Sequence, residues 1–398
     1  MCQNPRSGHI GAAIYEKDVK YSHGVCVLAV EPYSMLRKIF TILLFIPASL
    51  FAQKSVDLDK FGFSVQLRSL PQVRLDSTYR TYNVDIESTR LMQPFMREVD
   101  PERIIVVDGW RKLPEGGHVT VNVKLDDLLP ESFSTVERVE NIKDKTGKIT
   151  GTRTFYSQEV TYSFAATAVV MDYKGMHIYD QQLISRDQKQ RYRSPEFPVK
   201  QVADGYFMLN SIKLTSDLYR QNVTRAMHTL SNRLSNDFGY SAVTSNDYMW
   251  IVGSRKHPEY DAHRKAFQQM NSVLFGMDAN TYIPDLKEKM KPVIDYFEGI
   301  KKRYNSTSKH DRKIRYASFF NLAVIYYYLD DPQSMMKEAN GLVLNDFDTR
   351  DGKGFESVAL RLKNQMQMAN VTTRHFPIDV TKFKGPYETT QPVLSKTK

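Results

Sequence analysis

Val119-Thr120-Val121-Asn122-Val123-Lys124-Leu125 alternates apolar and polar side chains without a break. That period of two, carried by β-branched residues, predicts a strand with one face buried and one wet. The same alternation marks Phe61 to Arg68, Tyr79 to Ile86 and Ile104 to Val107. Leu113-Pro114-Glu115-Gly116-Gly117 punctuates two of these runs as a turn. Downstream, Asp144-Lys145-Thr146-Gly147-Lys148 separates Thr135–Val139 from Gly151–Tyr156, which predicts a long hairpin. Val160 to Met171 is the most apolar run and reads as one central strand. Asp172-Tyr173-Lys174-Gly175 turns the chain into Met176 to Asp180. A mostly antiparallel sheet over about 58–193 follows.

The period then changes. Leu218, Val223, Ala226, Met227, Leu230 and Leu234 recur at three- and four-residue steps, so 214–234 reads as an amphipathic helix ending near Gly239. Tyr248 to Gly253 is a return strand. A helix packed on an antiparallel sheet is an α+β domain, assigned to 53–255. From Pro258 the pattern is helical, over Glu259–Phe275, Asp285–Tyr304, Asp311–Leu329, Ser334–Leu344 and Gly354–Ala369. This all-α, helical-hairpin domain is assigned to 256–372. Residues 373–398, with Pro377, Pro386 and Pro392, read as an extended or disordered tail.

Phe319-x-x-Leu322-Ala323-x-x-Tyr326, then Asp330-Asp331-Pro332, then Ala339-x-x-Leu342, resembles a tetratricopeptide repeat. Leu322 and Ala323 match the large-small pair of its first helix, and Tyr326 its aromatic. Met335 and Ala339 depart from the pattern, the first too large and the second too small. What the resemblance implies is binding of a protein or peptide.

The compartment is read from Met35-Leu36-Arg37-Lys38 and the apolar run Ile39 to Ala52. Basic, apolar and small residues in that order predict a secretory signal peptide over 35–52, cut between Ala52 and Gln53. The segment's 14 residues are fewer than the about 20 that a membrane-spanning helix needs, so no permanent span is expected. Residues 1–34 then read as upstream translation ahead of Met35. The ending Leu50-Phe51-Ala52-Gln53 resembles signal ends of exported Bacteroidota proteins. Cys2 and Cys26 are the only cysteines and both precede the cut. The exported chain would have no disulfide, thiolate metal site or cysteine nucleophile. Gln53 stands where a lipoprotein would carry its lipidated cysteine. Together these predict a periplasmic or secreted protein. Beyond the cut, 50 basic groups face 42 acidic ones, interspersed, for a charge of +8. That excludes a dedicated nucleic-acid groove.

The candidate chemistry is thin. His257 to His263 is the densest set of metal-capable side chains, with Glu259 and His263 four apart. Its spacing is not that of a two-histidine metalloprotease helix, and acidic groups in a helix first turn also complement its dipole. Asp126-Asp127 and Asp330-Asp331 suit turns better than acid–base pairs, because strand neighbours point apart. No G-x-S-x-G elbow and no phosphate-cradling glycine loop occurs. Neither a catalytic residue, a cofactor-binding residue nor a metal ligand is assigned.

The partner-binding candidates are Tyr326, Tyr327 and Tyr328, since three successive helical residues cannot all face one core. Packing at a domain interface is the plainer alternative for them. Trp110 and Trp250 sit at predicted strand ends, where a polar tip stays wet. Asn222-Val223-Thr224, Asn305-Ser306-Thr307 and Asn370-Val371-Thr372 fit the N-glycan acceptor pattern, which chance also produces. Asp76-Ser77-Thr78 is similar to the O-glycan acceptor triplet of Bacteroidota. The expectation is a non-catalytic, exported envelope protein that binds a protein partner through its helical domain. The alternatives are a glycan-binding protein using surface Tyr and Trp, and a metal-dependent hydrolase at His257–His263.

Overall fold

The computed structural model describes residues 56–96 and 99–388. The predicted leader, its cleavage site at Ala52 and Gln53, and both cysteines lie outside them. The fold is α+β, with sheets in the N-terminal region and helices after them. No helix among the described residues is long and apolar enough to cross a membrane. Two compact units share the chain: residues 66–244, 277–283 and 363 onward form a sheet unit; residues up to 65, 245–276 and 284–362 form a helical unit.

Two strands run through both. β1 (Leu58–Arg68) pairs with β10 (Ala242–Val252). The Gly253 amide donates to the Asp57 carbonyl and the Ser69 amide to the Ser241 carbonyl, so the pair is antiparallel.

In the sheet unit, five strands stand in the order β3 (Arg111–Lys112), β2 (Thr81–Ser88), β4 (Val119–Leu125), β7 (Ala166–Asp172) and β8 (His177–Ile184). β4 occupies the run that opens the sequence argument. Its Val119, Val121, Val123 and Leu125 are buried, opposite Ala166, Ala168 and Val170 of β7. The sheet is mixed: β2 lies parallel to both β3 and β4, while β4–β7 and β7–β8 are antiparallel. The parallel step needs a long connection. It includes α1 (Gln93–Met96) and α2 (Pro101–Ile104). The return into β4 passes so close to β2 that a Cβ on Gly117 would lie 2.6 Å from the Tyr82 Cα.

β5 (Leu129–Lys143) and β6 (Ile149–Ser163) form the predicted hairpin, longer than expected. β9 (Gln190–Arg193), which the sequence reading missed, joins β6 as a third strand. The run 160–171 is not one strand. It breaks at Phe164-Ala165, and its two halves join different sheets, with the fully buried Phe164 at the switch. Ile104–Val107 is not a strand either, although Ile105 and Val107 are buried and Val106 is exposed. The backbone there is satisfied by side chains. The Val106 amide donates to Ser231 Oγ (3.0 Å) and the Asp108 amide to Ser235 Oγ (3.1 Å). Both serines lie on α3 (Lys200–Phe238), 39 residues against the 21 expected. α3 buries Leu218, Val223, Met227, Leu230 and Leu234, and Tyr219 meets Phe164 edge-on at 5.5 Å.

The helical unit holds α4 (Tyr260–Leu274), α5 (Leu286–Arg303), α6 (Lys309–Tyr328), α7 (Pro332–Asn345) and most of α8 (Thr349–Ala369). The domain boundary expected at 255 is therefore corrected. Residues 58–65 and 245–252 belong with the helices because helices cover them. Phe61 meets Phe267 at 5.3 Å and Phe63 meets Tyr328 at 5.3 Å. Asn321 bonds both the Trp250 amide and its carbonyl, each at 2.8 Å.

The segment 373–388 is extended but not loose. It returns to the sheet unit, with Arg374 and His375 buried. The Arg68 amide donates to the Arg374 carbonyl (2.9 Å), Arg68 Nε to the Phe376 carbonyl (2.6 Å) and the Phe376 amide to the Ala279 carbonyl (3.1 Å).

Candidate functional site

The predicted site residues divide by burial. Successive helical residues are about 100° apart, so one of the three tyrosines on α6 must turn inward. It is Tyr328, fully buried, with its hydroxyl 2.9 Å from Ser245 Oγ. Tyr326 and Tyr327 are half-buried and keep part of their rings at the surface. Burial, with Glu338 and Glu298 next in effect, pushes the Tyr326 hydroxyl up to about 12. Asp331 is the N-cap of α7, accepting from the Ser334 amide (3.1 Å) and pairing with Lys287 (3.0 Å). Asp126 pairs with Arg186 (3.2 Å), and Asp127 accepts from the Thr89 hydroxyl. Asp126, Asp127 and Asp331 are thereby occupied structurally.

The His257–His263 set does not converge on a ligand. Glu259 is buried and accepts from Arg303 (Nε 3.2 Å, Nη2 3.1 Å), the Tyr296 hydroxyl (2.9 Å) and the Tyr304 hydroxyl (3.3 Å). His263 is fully buried, edge-on to Phe297 at 5.4 Å, and burial lowers its pKa to about 4. Among the described residues no three His, Cys, Asp or Glu side chains gather as a metal-ligand set. Trp110 is not a wet strand end: it is buried and its Nε1 donates to the Phe238 carbonyl at 2.8 Å. Trp250 is half-buried, with the Lys60 ammonium 5.1 Å from its ring.

The site that geometry offers lies in the sheet unit, a cleft of about 990 Å³. Three segments build it. The first is the loop after β1, where Asp76 Oδ1 accepts from the Thr78 amide (2.9 Å) and the Thr78 hydroxyl (2.8 Å). Those bonds fix the loop and hold the Asp76 carboxyl below its usual range. The second is the β7–β8 turn. Asp172 Oδ1 accepts from the Lys174 and Met176 amides (2.9 and 2.7 Å), and Gly175 takes φ +81°. The third is the last two turns of α8. There Asn364 and Gln367 are three apart, so they share a face, and Asn370 follows at φ +52°.

Tyr79 forms the floor. Its hydroxyl donates to Asp172 Oδ2 at 3.3 Å, and burial, then Asp172, pushes it up to about 12. His118 stacks behind it at 5.1 Å, with Nδ1 2.7 Å from Thr81 Oγ1. Burial lowers the His118 pKa.

The rim carries Arg74, Lys174, Asp76, Asn364, Gln367 and Asn370, all exposed, beside Leu75, Met176, Ile178 and Met368. The cleft lining contains no His and no Cys. Ser77 therefore has no histidine beside it in that lining. What it can do is hydrogen-bond. Planar amides and a guanidinium face in beside thioether and aliphatic surface, and two cations outnumber the one exposed carboxylate. Asp76 and Ser77 of the Asp76-Ser77-Thr78 triplet line the cleft. Sequence reasoning flagged that triplet and the 172–175 turn separately. Nothing in the sequence ties either to residues 364–370, nearly two hundred positions or more away.

No family model and no curated protein matches the sequence. Among solved structures the chain is similar to a neuraminyllactose-binding hemagglutinin homolog from Helicobacter pylori. The identity is 11%, the match covers 42% of this chain and 90% of that one, and the TM-score is 0.19. A score that low transfers neither fold nor ligand to this chain.

Proposed function

We propose that the chain is a non-catalytic binding protein of the cell envelope, exported by the leader at 35–52, and that its sheet unit holds a saccharide in the cleft. The observation that supports this is the lining of that cleft. Asn364, Gln367, Asn370 and Arg74 present donors and acceptors in planar groups that suit vicinal hydroxyls, beside Met176 and Met368 for the apolar face of a sugar ring. Its volume suits a small ligand. This moves the glycan reading away from surface Tyr and Trp, since Trp110 is buried.

A second reading keeps a protein or peptide partner for the helical unit. The α6–α7 hairpin supports it, with half-exposed Tyr326 and Tyr327 and a tetratricopeptide-like spacing.

Calorimetric titration with envelope oligosaccharides tests the first reading. Each lost hydrogen bond contributes about 1 kcal/mol, so Gln367→Ala and Asn364→Ala should each weaken binding roughly 3- to 10-fold with an unchanged melting temperature. Absence of saccharide binding by the intact protein, with a defined protein captured through Tyr326 and Tyr327, would replace the first reading by the second.

A further inference from the structure

The hairpin of β5 and β6 carries chemistry that the cleft does not use. Residues 137–150 are exposed without exception. The third strand, β9, pairs only with residues 159–162 of β6, and one bridge joins Tyr156 to Phe197. Beyond that bridge the arm is a two-stranded ribbon. Thr135 donates to Asp204 in the second turn of α3. Ten further residues at about 3.3 Å each carry Lys145 roughly 30 Å past that point.

The end of the arm is rigid and sharply polarised. The Asp144 amide donates to the Lys148 carbonyl (2.9 Å) and the Gly147 amide to the Asp144 carbonyl (3.0 Å). Asp144 Oδ1 accepts from the Thr146 amide (2.8 Å), the Thr146 hydroxyl (2.6 Å) and the Lys148 amide (3.0 Å), so its charge faces its own turn. Lys143, Lys145 and Lys148 have no ion-pair partner among the described residues, whereas lower on the arm Arg138 pairs with Glu196 at 2.7 Å. Flanking those lysines on the two strands stand Ile142 at 43% and Ile149 at 54% exposure, with Val139 just below at 54%.

We infer that this tip docks on an anionic lipid bilayer, the isoleucines entering the headgroup layer and the three ammonium groups facing lipid phosphates. Lysines at the turn with exposed apolar side chains immediately beside them, at the end of a projecting arm, are the chemistry of peripheral membrane attachment. A protein partner fits less well. Two isoleucines and three lysines within eight residues present far less area than a specific protein interface buries. The proposal stands independently of the saccharide reading.

Flotation of the intact protein with vesicles tests it, comparing pure phosphatidylcholine with a mixture containing phosphatidylglycerol. Binding should occur on the anionic vesicles alone and fall as salt is raised. Each lysine near the surface accounts for roughly fivefold in binding, so Lys145→Ala with Lys148→Ala should lose about 25-fold. Ile142→Asp with Ile149→Asp should abolish binding while the melting temperature holds. Leu344→Asp, at a still more exposed apolar residue of the helical unit (85%), should change nothing. Equal binding to both vesicle types, wild-type binding by the tip variants, or no binding by the intact protein would each overturn the inference. Gln367→Ala should bind vesicles as wild type does, which separates this result from the fate of the saccharide reading.

Discussion

Asp247 on β10 shows how one side chain sets a pH dependence that no motif announces. It is 8% exposed, and burial raises its pKa to about 6, against hydrogen bonds from the Tyr248 amide (2.8 Å) and the Tyr328 hydroxyl (3.5 Å). The folded pKa lies above the unfolded one, so the native state binds the extra proton. Its contribution is most favourable below about pH 4 and is lost as pH rises through about 6. Asp247→Asn should therefore raise stability at pH 7 by about 3 kcal/mol and leave it nearly unchanged at pH 4, read from urea unfolding at both. His263 tilts the other way. Its folded pKa is lowered to about 4, so its contribution is present above about 6.5 and lost as pH falls towards 4. Neither group was legible in the sequence as a titrating site. Asp247 lies in a polar stretch ahead of a strand, and His263 in a helix first turn. Their shifts come from what the fold places over them.

Elements were legible where one period ran unbroken. β4 matches its predicted run residue for residue, and α5 and α6 fall within two residues of theirs. Ambiguity entered where burial had another source. Ile104–Val107 has strand periodicity, but α3 serines satisfy its backbone. The first turns of α3 were missed because Val202, Met208, Leu209 and Ile212 are exposed at 49–84% while Ala203 and Leu214 are buried. Apolar residues on both sides erase the stripe that the reading depends on.

Two glycines separate propensity from packing at this scale. Nothing lies within 4 Å of a Cβ on Gly205 in α3, so Gly205→Ala should stabilise by about 0.5–1 kcal/mol. In α7 a Cβ on Gly341 would overlap the Phe319 ring of α6. Gly341→Ala should cost about 1–3 kcal/mol in spite of the better helix former. Melting curves of the two variants should move in opposite directions.

At the scale of the whole molecule, the fold class was readable, because the change from period two to helical period is abrupt. The boundary was not. A linear reading assigns neighbouring residues to one domain, yet residues 58–65 and 245–252 join the helices and 363–388 return to the sheet unit. The cleft was hidden for the same reason, since its rim draws on 74–79, 172–178 and 364–370. The returning segment is structural. A chain ended at Thr372 loses the Arg374 and Phe376 carbonyls that Arg68 uses, and the His375 Nδ1 contact to the Asp278 carbonyl (2.7 Å). At about 1 kcal/mol each, that truncation should cost roughly 3–4 kcal/mol, seen as a lower urea midpoint.

The antiparallel partnership of β1 and β10 has a practical corollary. Ser64 donates to Asn246 across 182 positions of chain, and each unit gathers pieces from both sides of that gap. No single scissor cut in the gene can release either half as a continuous fragment. A protease nick in the exposed turn at 144–148 would leave both products clasped together, visible as two bands only after denaturation.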